Sequence, residues 1–292
     1  MHTLTCRNVV RKMGDDFTLG PINLEIPAGT ITAVIGNNGA GKTTLFQALS
    51  GDYPGKGETN ILGHNIHSVE AKAAFSYVPQ TFPEVLPFRL QQLRDLHAAH
   101  DDSWQDDRFQ AFVHEFKLPL RKRINKLSVG MQRKTVLALQ LSRDTSLLLL
   151  DEPFAGLDME GQTQLEKMLL HKMEEDPNCS IVFATHIADE VGRLADYIVM
   201  MKDGKTREPM EKDSLAQQFK RIWLAKSVTG VEEAPGIQKV SIEGALPQIL
   251  TNDAEATEKW LAARDAQIMK RESLSLHESL PLLLRDEETN GV

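Results

Sequence analysis

No stretch of this chain approaches the ~20 consecutive apolar residues needed to span a bilayer. Its first residues, MHTLTCRNVVRK, also lack the apolar centre of a secretory leader. Together these absences predict a cytoplasmic protein that a partner must hold wherever it works at a membrane. Cysteine is nearly missing: Cys6 and Cys179 stand far apart and outside any C-x-x-C pattern. Two reduced, mostly buried thiols are expected, not a disulfide framework. Positive charge is in deficit, with 33 Lys+Arg against 41 Asp+Glu and a formal net charge of -8. That balance argues against nucleic-acid binding by phosphate neutralisation. Internal repeats and low-complexity tracts are absent as well.

What is present is an ordinary globular composition, 41% hydrophobic and 25% charged over 292 residues. It is enough for one large domain or two modest ones. The opening runs LTCRNVV and FTLGPINLEI predict antiparallel strands. ITAVIG reads as a buried strand, and KTTLFQALSG as a helix with Gly51 at its C-terminal end. Residues 52–80 predict further short strands among Gly and Pro, and residues from Thr81 to about Ser128 become helical and charged. A helix is expected from Val129, then the apolar run SLLLLDEP, an amphipathic helix in EGQTQLEKMLLHKMEED, and the apolar run SIVFATH. DYIVMMKDGKTRE predicts a hairpin with Asp-Gly at its turn. Apolar runs alternating with helices imply an α/β protein with a largely parallel sheet covered on both faces. Beyond about Met210 the character changes: IQKVSIEGALPQILTND has strand-like stretches, and the segment from Ala254 to Glu288 reads as mostly helical.

The most specific feature is GNNGAGKT with the Thr44 that follows it: Gly36, Asn37, Asn38, Gly39, Ala40, Gly41, Lys42, Thr43 and Thr44 come after a buried strand and run into a helix. In that context the glycines let successive backbone N–H groups turn inward on phosphate oxygens, with the positive end of the helix behind them. Lys42 can then reach the β- and γ-phosphates of a nucleotide, and the Thr43 hydroxyl can bind Mg2+. LLLLDEP delivers Asp151 and Glu152 to the same edge of the sheet. Asp151 is suited to the Mg2+ shell, and Glu152 to orienting a water and accepting its proton.

These motifs occur in one order: GNNGAGKT, LSVGMQ at Leu127–Gln132, LLLLDEP, AGLD at Ala155–Asp158, and ATH ending at His186. The set resembles the nucleotide-binding subunit of an ABC transporter over roughly residues 3–208. The resemblance implies a P-loop NTPase core of the ABC ATPase kind over residues 1–208, a helical subdomain inserted at about 81–129, and a C-terminal accessory region at 209–292. It implies ATP and Mg2+ as cofactors, and a homodimer or a heterodimer with a second ABC ATPase subunit. ATP would be held between the P-loop of one subunit and Ser128 and Gly130 of the other. Glu152 would be the general base, His186 would contact the γ-phosphate, and Asp158 would lie at the dimer interface. Gln80, in SYVPQTF, would join the Mg2+ shell and sense transmembrane permease subunits. The chain would sit on the cytoplasmic face of the membrane through those permeases.

Two departures stand out. Val129 and Met131 replace the Gly and Gln of the family signature, although the Ser128 hydroxyl and Gly130 remain. Met13 takes the place of an adenine-stacking aromatic, with Phe17 close by. Phe17 reads either as the aromatic contact or as core. FTLGPINLEI, LSVGMQRK and the tail SLSLHESLPLLL look most like the ABC-2-type, exporter-like branch. The alternative is a soluble ABC ATPase acting on nucleic acid or ribosomes. A single cassette and an acidic balance favour transport, and no nucleic acid is expected. His97, His100, Asp101 and Asp102 have metal-like spacing but read better as a solvated helix end. The run Arg121-Lys122-Arg123 reads best as an ordinary exposed loop.

Overall fold

A computed structural model of the chain describes residues 2–14, 17–52, 55–81, 87–243 and 246–285. The chain divides into two compact units, one of Met1–His186 with Tyr197–Pro209, the other of Ile187–Asp196 with Met210–Val292.

The first unit opens with β1 (His2–Met13) and β2 (Phe17–Pro27), paired antiparallel. β3 (Ile31–Ile35) leaves for a second sheet, while β4 (Lys56–Ile61) and β5 (His64–Asn65) return to give the order β2-β1-β4-β5. The second sheet adds β6 (Phe75–Val78), β7 (Leu147–Asp151), β8 (Ser180–Thr185), β9 (Tyr197–Lys202) and β10 (Lys205–Thr206). Its order is β10-β9-β3-β8-β7-β6, parallel from β9 through β6. Every residue of β3, β7 and β8 is buried, which is why these segments read as continuous apolar runs without alternation. The β9–β10 hairpin turns at Asp203 and Gly204, with φ of 48° and 76°. Those values are what an Asp-Gly pair supplies in a two-residue hairpin loop.

Helix α1 (Lys42–Leu49) lies between the two sheets, with Leu45, Phe46 and Leu49 fully buried against Leu4, Ile22 and Leu24 on one side and Leu147, Val182 and Val199 on the other. Gly51 follows its cap residue at φ 74° and ends it as the sequence leads one to expect. A short helix, α2 (Val69–Ala74), interrupts the region expected to hold only strands. Ser68 caps it by accepting a bond from the Ala71 N–H at 3.1 Å, and Ala71 is its buried residue. Six residues with one inward side chain are too few for helical periodicity to register. Helices α3 (Leu90–His100) and α4 (Asp106–Glu115) precede α5 (Val129–Leu141), and α6 (Met159–Glu175) links β7 to β8.

Two of the residues at metal-like spacing, His97 and Asp101, make structural contacts, while His100 and Asp102 are exposed. Asp101 accepts bonds from Arg143 Nε and from the Ser103 hydroxyl, both at 2.6 Å, and His97 stacks on Trp104 at 5.4 Å. Among the described residues no group of three or more His, Cys, Asp or Glu is arranged to hold a metal ion. Cys6 and Cys179 are free and buried, and burial pushes their thiols up to about 12 and about 11. Among the described residues no helix is long and apolar enough to cross a membrane.

The second unit contains α7 (Ala188–Leu194), β11 (Met210–Glu211), α8 (Lys212–Gln218) and β12 (Lys220–Leu224). β13 (Ile237–Glu243), β14 (Leu246–Thr251), α9 (Ala254–Ala262), β15 (Ile268–Ser273) and α10 (Leu276–Arg285) follow. Its antiparallel sheet runs β13-β14-β12-β15, with Ile222, Leu224 and Ile249 packed on Leu261 of α9. α10 meets α7 through His277 Nε2 and Asp189 Oδ1, 2.7 Å apart. The segment expected to be mostly helical, in a small α+β appendage, holds α9 and α10, with one unexpected strand, β15, between them. This edge strand is nearly all exposed and pairs with β12 from Lys220–Ser273 to Leu224–Ile268. Its charged side chains leave no alternating pattern to read, and pairing with β12 decides its conformation.

Candidate functional site

The buried helix α1 fixes the position of the glycine-rich loop at its N-terminus. Gly41 is the N-cap residue at φ 104° and Gly39 lies at φ 85°, both in the region that favours glycine. A Cβ on Gly36 would run into the carbonyl oxygen of Met201 on β9. At Gly39 a Cβ would meet nothing within 4 Å, so the loop is open on the side facing an incoming group. Lys42 is buried; its ammonium donates to the Gly36 carbonyl at 2.8 Å and lies 3.7 Å from Glu152 Oε1.

An open cleft of about 640 Å³ extends from this loop. Phe17, Asn38, Gly39, Gly41, Lys42, Thr43, Thr44, Gln80, Glu152 and His186 line it. The Thr43 hydroxyl donates to Gln80 Oε1 at 3.4 Å. Glu152 turns off the end of β7 at φ 49°, a left-handed conformation unusual for a side chain of its size. Its backbone N–H is held by the Ala184 carbonyl at 3.1 Å, and its Oε1 meets His186 Nδ1 at 3.1 Å. One carboxylate oxygen thus faces both Lys42 and His186.

Asp151 is fully buried, and among the described residues neither of its carboxylate oxygens has a hydrogen-bond partner. Burial raises its pKa above the usual carboxylate range, and the neighbouring Glu152 carboxylate adds to the rise. Thr43, short of full hydrogen-bond geometry, and the Arg133 and Lys42 charges pull the other way. An orphaned buried carboxylate beside a threonine hydroxyl and a glutamine oxygen is a set of hard oxygen donors. That set fits Mg2+.

Phe17 packs against the buried core and also reaches the cleft, where a Cβ on Gly41 would lie 2.6 Å from its Cζ. Met13, its cross-strand partner, is 39% exposed and does not line the cleft. Ser128 and Gly130 stand outside the cleft as well. Ser128 caps α5, its hydroxyl oxygen accepting from the Met131 N–H at 3.4 Å, and Val129 is 77% exposed. A Cβ on Gly130 would lie 2.8 Å from the Gly156 carbonyl oxygen, so this close approach needs glycine. Asp158 caps α6 through the Gly161 N–H at 3.0 Å and meets Lys134 Nζ at 3.0 Å. Lys134 and that N–H hold its carboxyl below the usual range.

One residue of the site escapes the motif reading. Arg133, 3% exposed, directs its guanidinium onto the backbone of the segments that carry Gln80, Asp151 and Glu152. Its signal in the sequence is position: helical spacing puts it on the same face as the buried Val136 and Leu137.

Residues 19–155 match the ABC transporter family profile. The energy-coupling factor transporter ATP-binding protein EcfA2 of Ligilactobacillus salivarius is 31% identical over 207 residues, 65% of this chain and 71% of that protein. The chain belongs to the ABC transporter ATP-binding family. Relatives in this family also include the bacitracin transport ATP-binding protein BcrA of Enterococcus faecalis, 26% identical over 75% of this chain and 73% of that protein. The sulfate/thiosulfate import ATP-binding protein CysA of Synechocystis is 30% identical over 70% of this chain and 60% of its own length. Among solved structures, an ATP-binding subunit of an ABC transporter superposes with a TM-score of 0.67 at 23% identity, covering 74% of this chain and 92% of that one. A dimeric ATP-binding cassette bound to ADP and Pi matches with a TM-score of 0.61 at 22% identity, over 71% and 98% of the two chains. The fold is the α/β fold of ABC ATPases, and the chain is an ABC-type ATPase coupled to transport. The relatives span several transporter kinds and do not single out a branch.

Proposed function

We propose that this ABC ATPase hydrolyses MgATP in a head-to-tail dimer and passes the motion to separate membrane-spanning permease subunits on the cytoplasmic face, in the direction of export. The observation that carries the reading is the shared oxygen of Glu152. It lies 3.1 Å from His186 Nδ1 and 3.7 Å from Lys42 Nζ at the wall of the glycine-loop cleft, while Ser128 and Gly130 stand outside that cleft. A nucleotide in the cleft would therefore meet Lys42 and Glu152 but no signature residue of the same chain. A second subunit is needed to supply Ser128 and Gly130 to its γ-phosphate.

The roles follow from charge and reach. The backbone N–H groups from Gly39 to Thr44, at the N-terminus of α1, hold phosphate oxygens, and Lys42 neutralises the β- and γ-phosphates. Glu152, buried and fixed by its left-handed backbone, accepts the proton of the attacking water, and His186 orients that pair. Thr43, Gln80 and Asp151 would hold Mg2+, which when bound neutralises charge on the phosphate oxygens. The residues after Met210, with α7, form an accessory unit that holds none of these groups. Export rests on the likeness of FTLGPINLEI, LSVGMQRK and the tail to the exporter-like branch. Co-purification of a multi-span protein from solubilised membranes, followed by transport assays in vesicles of both orientations, reads the direction.

The test of the ATPase reading uses two variants. Lys42→Ala is expected to lose nearly all turnover, and wild-type turnover in the folded variant would sink the assignment. Glu152→Gln keeps shape and hydrogen bonding but removes the base, so it should bind ATP without turning it over. Sedimentation with ATP should then show a dimer that ADP does not support. A monomer with ATP bound would count against the symmetric homodimer.

A further inference from the structure

A buried guanidinium is costly unless every donor is met. Arg133 meets that condition through backbone carbonyls of the described residues. Its Nε donates to the Pro153 carbonyl at 3.4 Å, and Nη2 donates to the carbonyls of Asp151 and Glu152, both at 2.7 Å. Nη1 donates to the carbonyls of Pro79 and, at 3.4 Å, of Gln80. A guanidinium has five N–H groups, so each has an acceptor. Burial draws its pKa down to about 10, opposed by the Asp151 and Glu152 carboxylates. The group remains cationic at neutral pH.

The acceptors come from two segments distant in sequence, one following β6 and one ending β7. The ladder between these strands runs to Val78–Leu150. The next residue after β6 is Pro79, which has no N–H to continue it. Arg133 takes over where the ladder stops, joining the two segments that carry Gln80, Asp151 and Glu152. It does so from α5, the helix that Ser128 caps.

We propose that Arg133 is a positioning residue that sets the Gln80 and Asp151–Glu152 segments in catalytic register and ties both to the Ser128 helix. The inference rests on the ATPase reading above. In the head-to-tail dimer the Ser128 end of α5 faces the partner's nucleotide, while Arg133 grips the catalytic segments of its own chain. One side chain therefore links the two composite sites. Lysine cannot replace it, because a compact ammonium lacks the planar fork that reaches carbonyls on both segments.

The experiment compares Arg133→Ala and Arg133→Lys with wild type and with Lys42→Ala. Titration with a fluorescent ATP analogue, with and without Mg2+, gives the affinity and the gain in affinity that Mg2+ brings. Metal-free affinity should stay within about 2-fold of wild type, because the glycine loop is untouched. The Mg2+ gain and kcat should each fall by about 10- to 100-fold, the usual cost of losing an outer-shell partner. Methylguanidinium should restore part of kcat to Arg133→Ala and none to Arg133→Lys. Wild-type kcat and Mg2+ gain in either folded variant overturn the proposal. If Arg133→Ala does not fold, Arg133→Lys decides by the same readouts, and failure of both to fold assigns Arg133 to folding alone, which also overturns it. Active Lys42→Ala would sink the ATPase reading itself, whereas inactive Lys42→Ala beside fully active Arg133 variants sinks only this inference.

Discussion

Met13 and Phe17 are cross-strand partners at the ends of β1 and β2, yet only Phe17 reaches the cleft. Whatever aromatic contact adenine receives should therefore come from Phe17, even though the family places that aromatic nearer Met13. A stacked ring is worth about 1 kcal/mol beyond the area it buries. Phe17→Ala should weaken ATP binding by roughly 5- to 10-fold, while Met13→Ala leaves it nearly unchanged. Nucleotide titration of both variants checks this, and an unaffected Phe17 variant rejects it. Asp151 makes a second case, in which the site costs the fold stability. Its folded pKa is raised, chiefly by burial, so the ionised carboxylate destabilises the native state at neutral pH. That penalty develops as pH rises from the unfolded pKa, ~3.9, through the folded one. Asp151→Asn removes it and should melt higher at pH 7.5 by about 3 °C or more. The difference should shrink as pH falls and wild-type Asp151 protonates. A lower melting temperature for the variant at pH 7.5 would refute this account.

At the scale of elements, α3 and α4 are tied by one fork. Arg94 Nε donates to Asp106 Oδ1 at 2.7 Å, and Arg94 Nη2 to Asp106 Oδ2 at 2.6 Å. The Arg94 bond is the first cause that lowers the Asp106 pKa. A depressed folded pKa contributes stability above the unfolded value, ~3.9, and loses it as pH falls through the folded one. Because both side chains are about a third exposed, solvent screening limits the contribution to about 1 kcal/mol. Asp106→Asn should thus lower the melting temperature at pH 7, and the deficit should shrink as pH falls below ~3.9 and through the folded value; a deficit that does not shrink with falling pH would contradict it. The same scale shows what the sequence could tell. β3, β7 and β8 were legible because burial on both faces forces an unbroken apolar run. The glycine loop was legible because Gly36 and Gly41 are required by backbone approach and conformation, not by side-chain chemistry. β15 was not, since an exposed edge strand takes its conformation from its neighbour. Arg133 was not legible either, because its partners are carbonyls, and every residue type carries one.

For the whole molecule, the division into units does not follow a single cut in the chain. Among the described residues, all those lining the glycine-loop cleft precede Met210, so a chain ending at Pro209 should still bind ATP. A folded truncation that cannot bind it would show this to be wrong. Such a truncation should nonetheless be poorly soluble and should bind a hydrophobic dye, because it keeps α7 and loses α10. α7 belongs to the C-terminal unit, where Asp189 meets His277 and a Cβ on Gly192 would touch Leu276. The C-terminal unit therefore threads the main strand of the enzyme like a splice in a rope. Its helix begins at Ala188, two residues past His186, and the chain returns to β9 at Tyr197. The line from α10 to the histidine is short enough to count: the His277–Asp189 bond, then two residues of chain between Asp189 and His186.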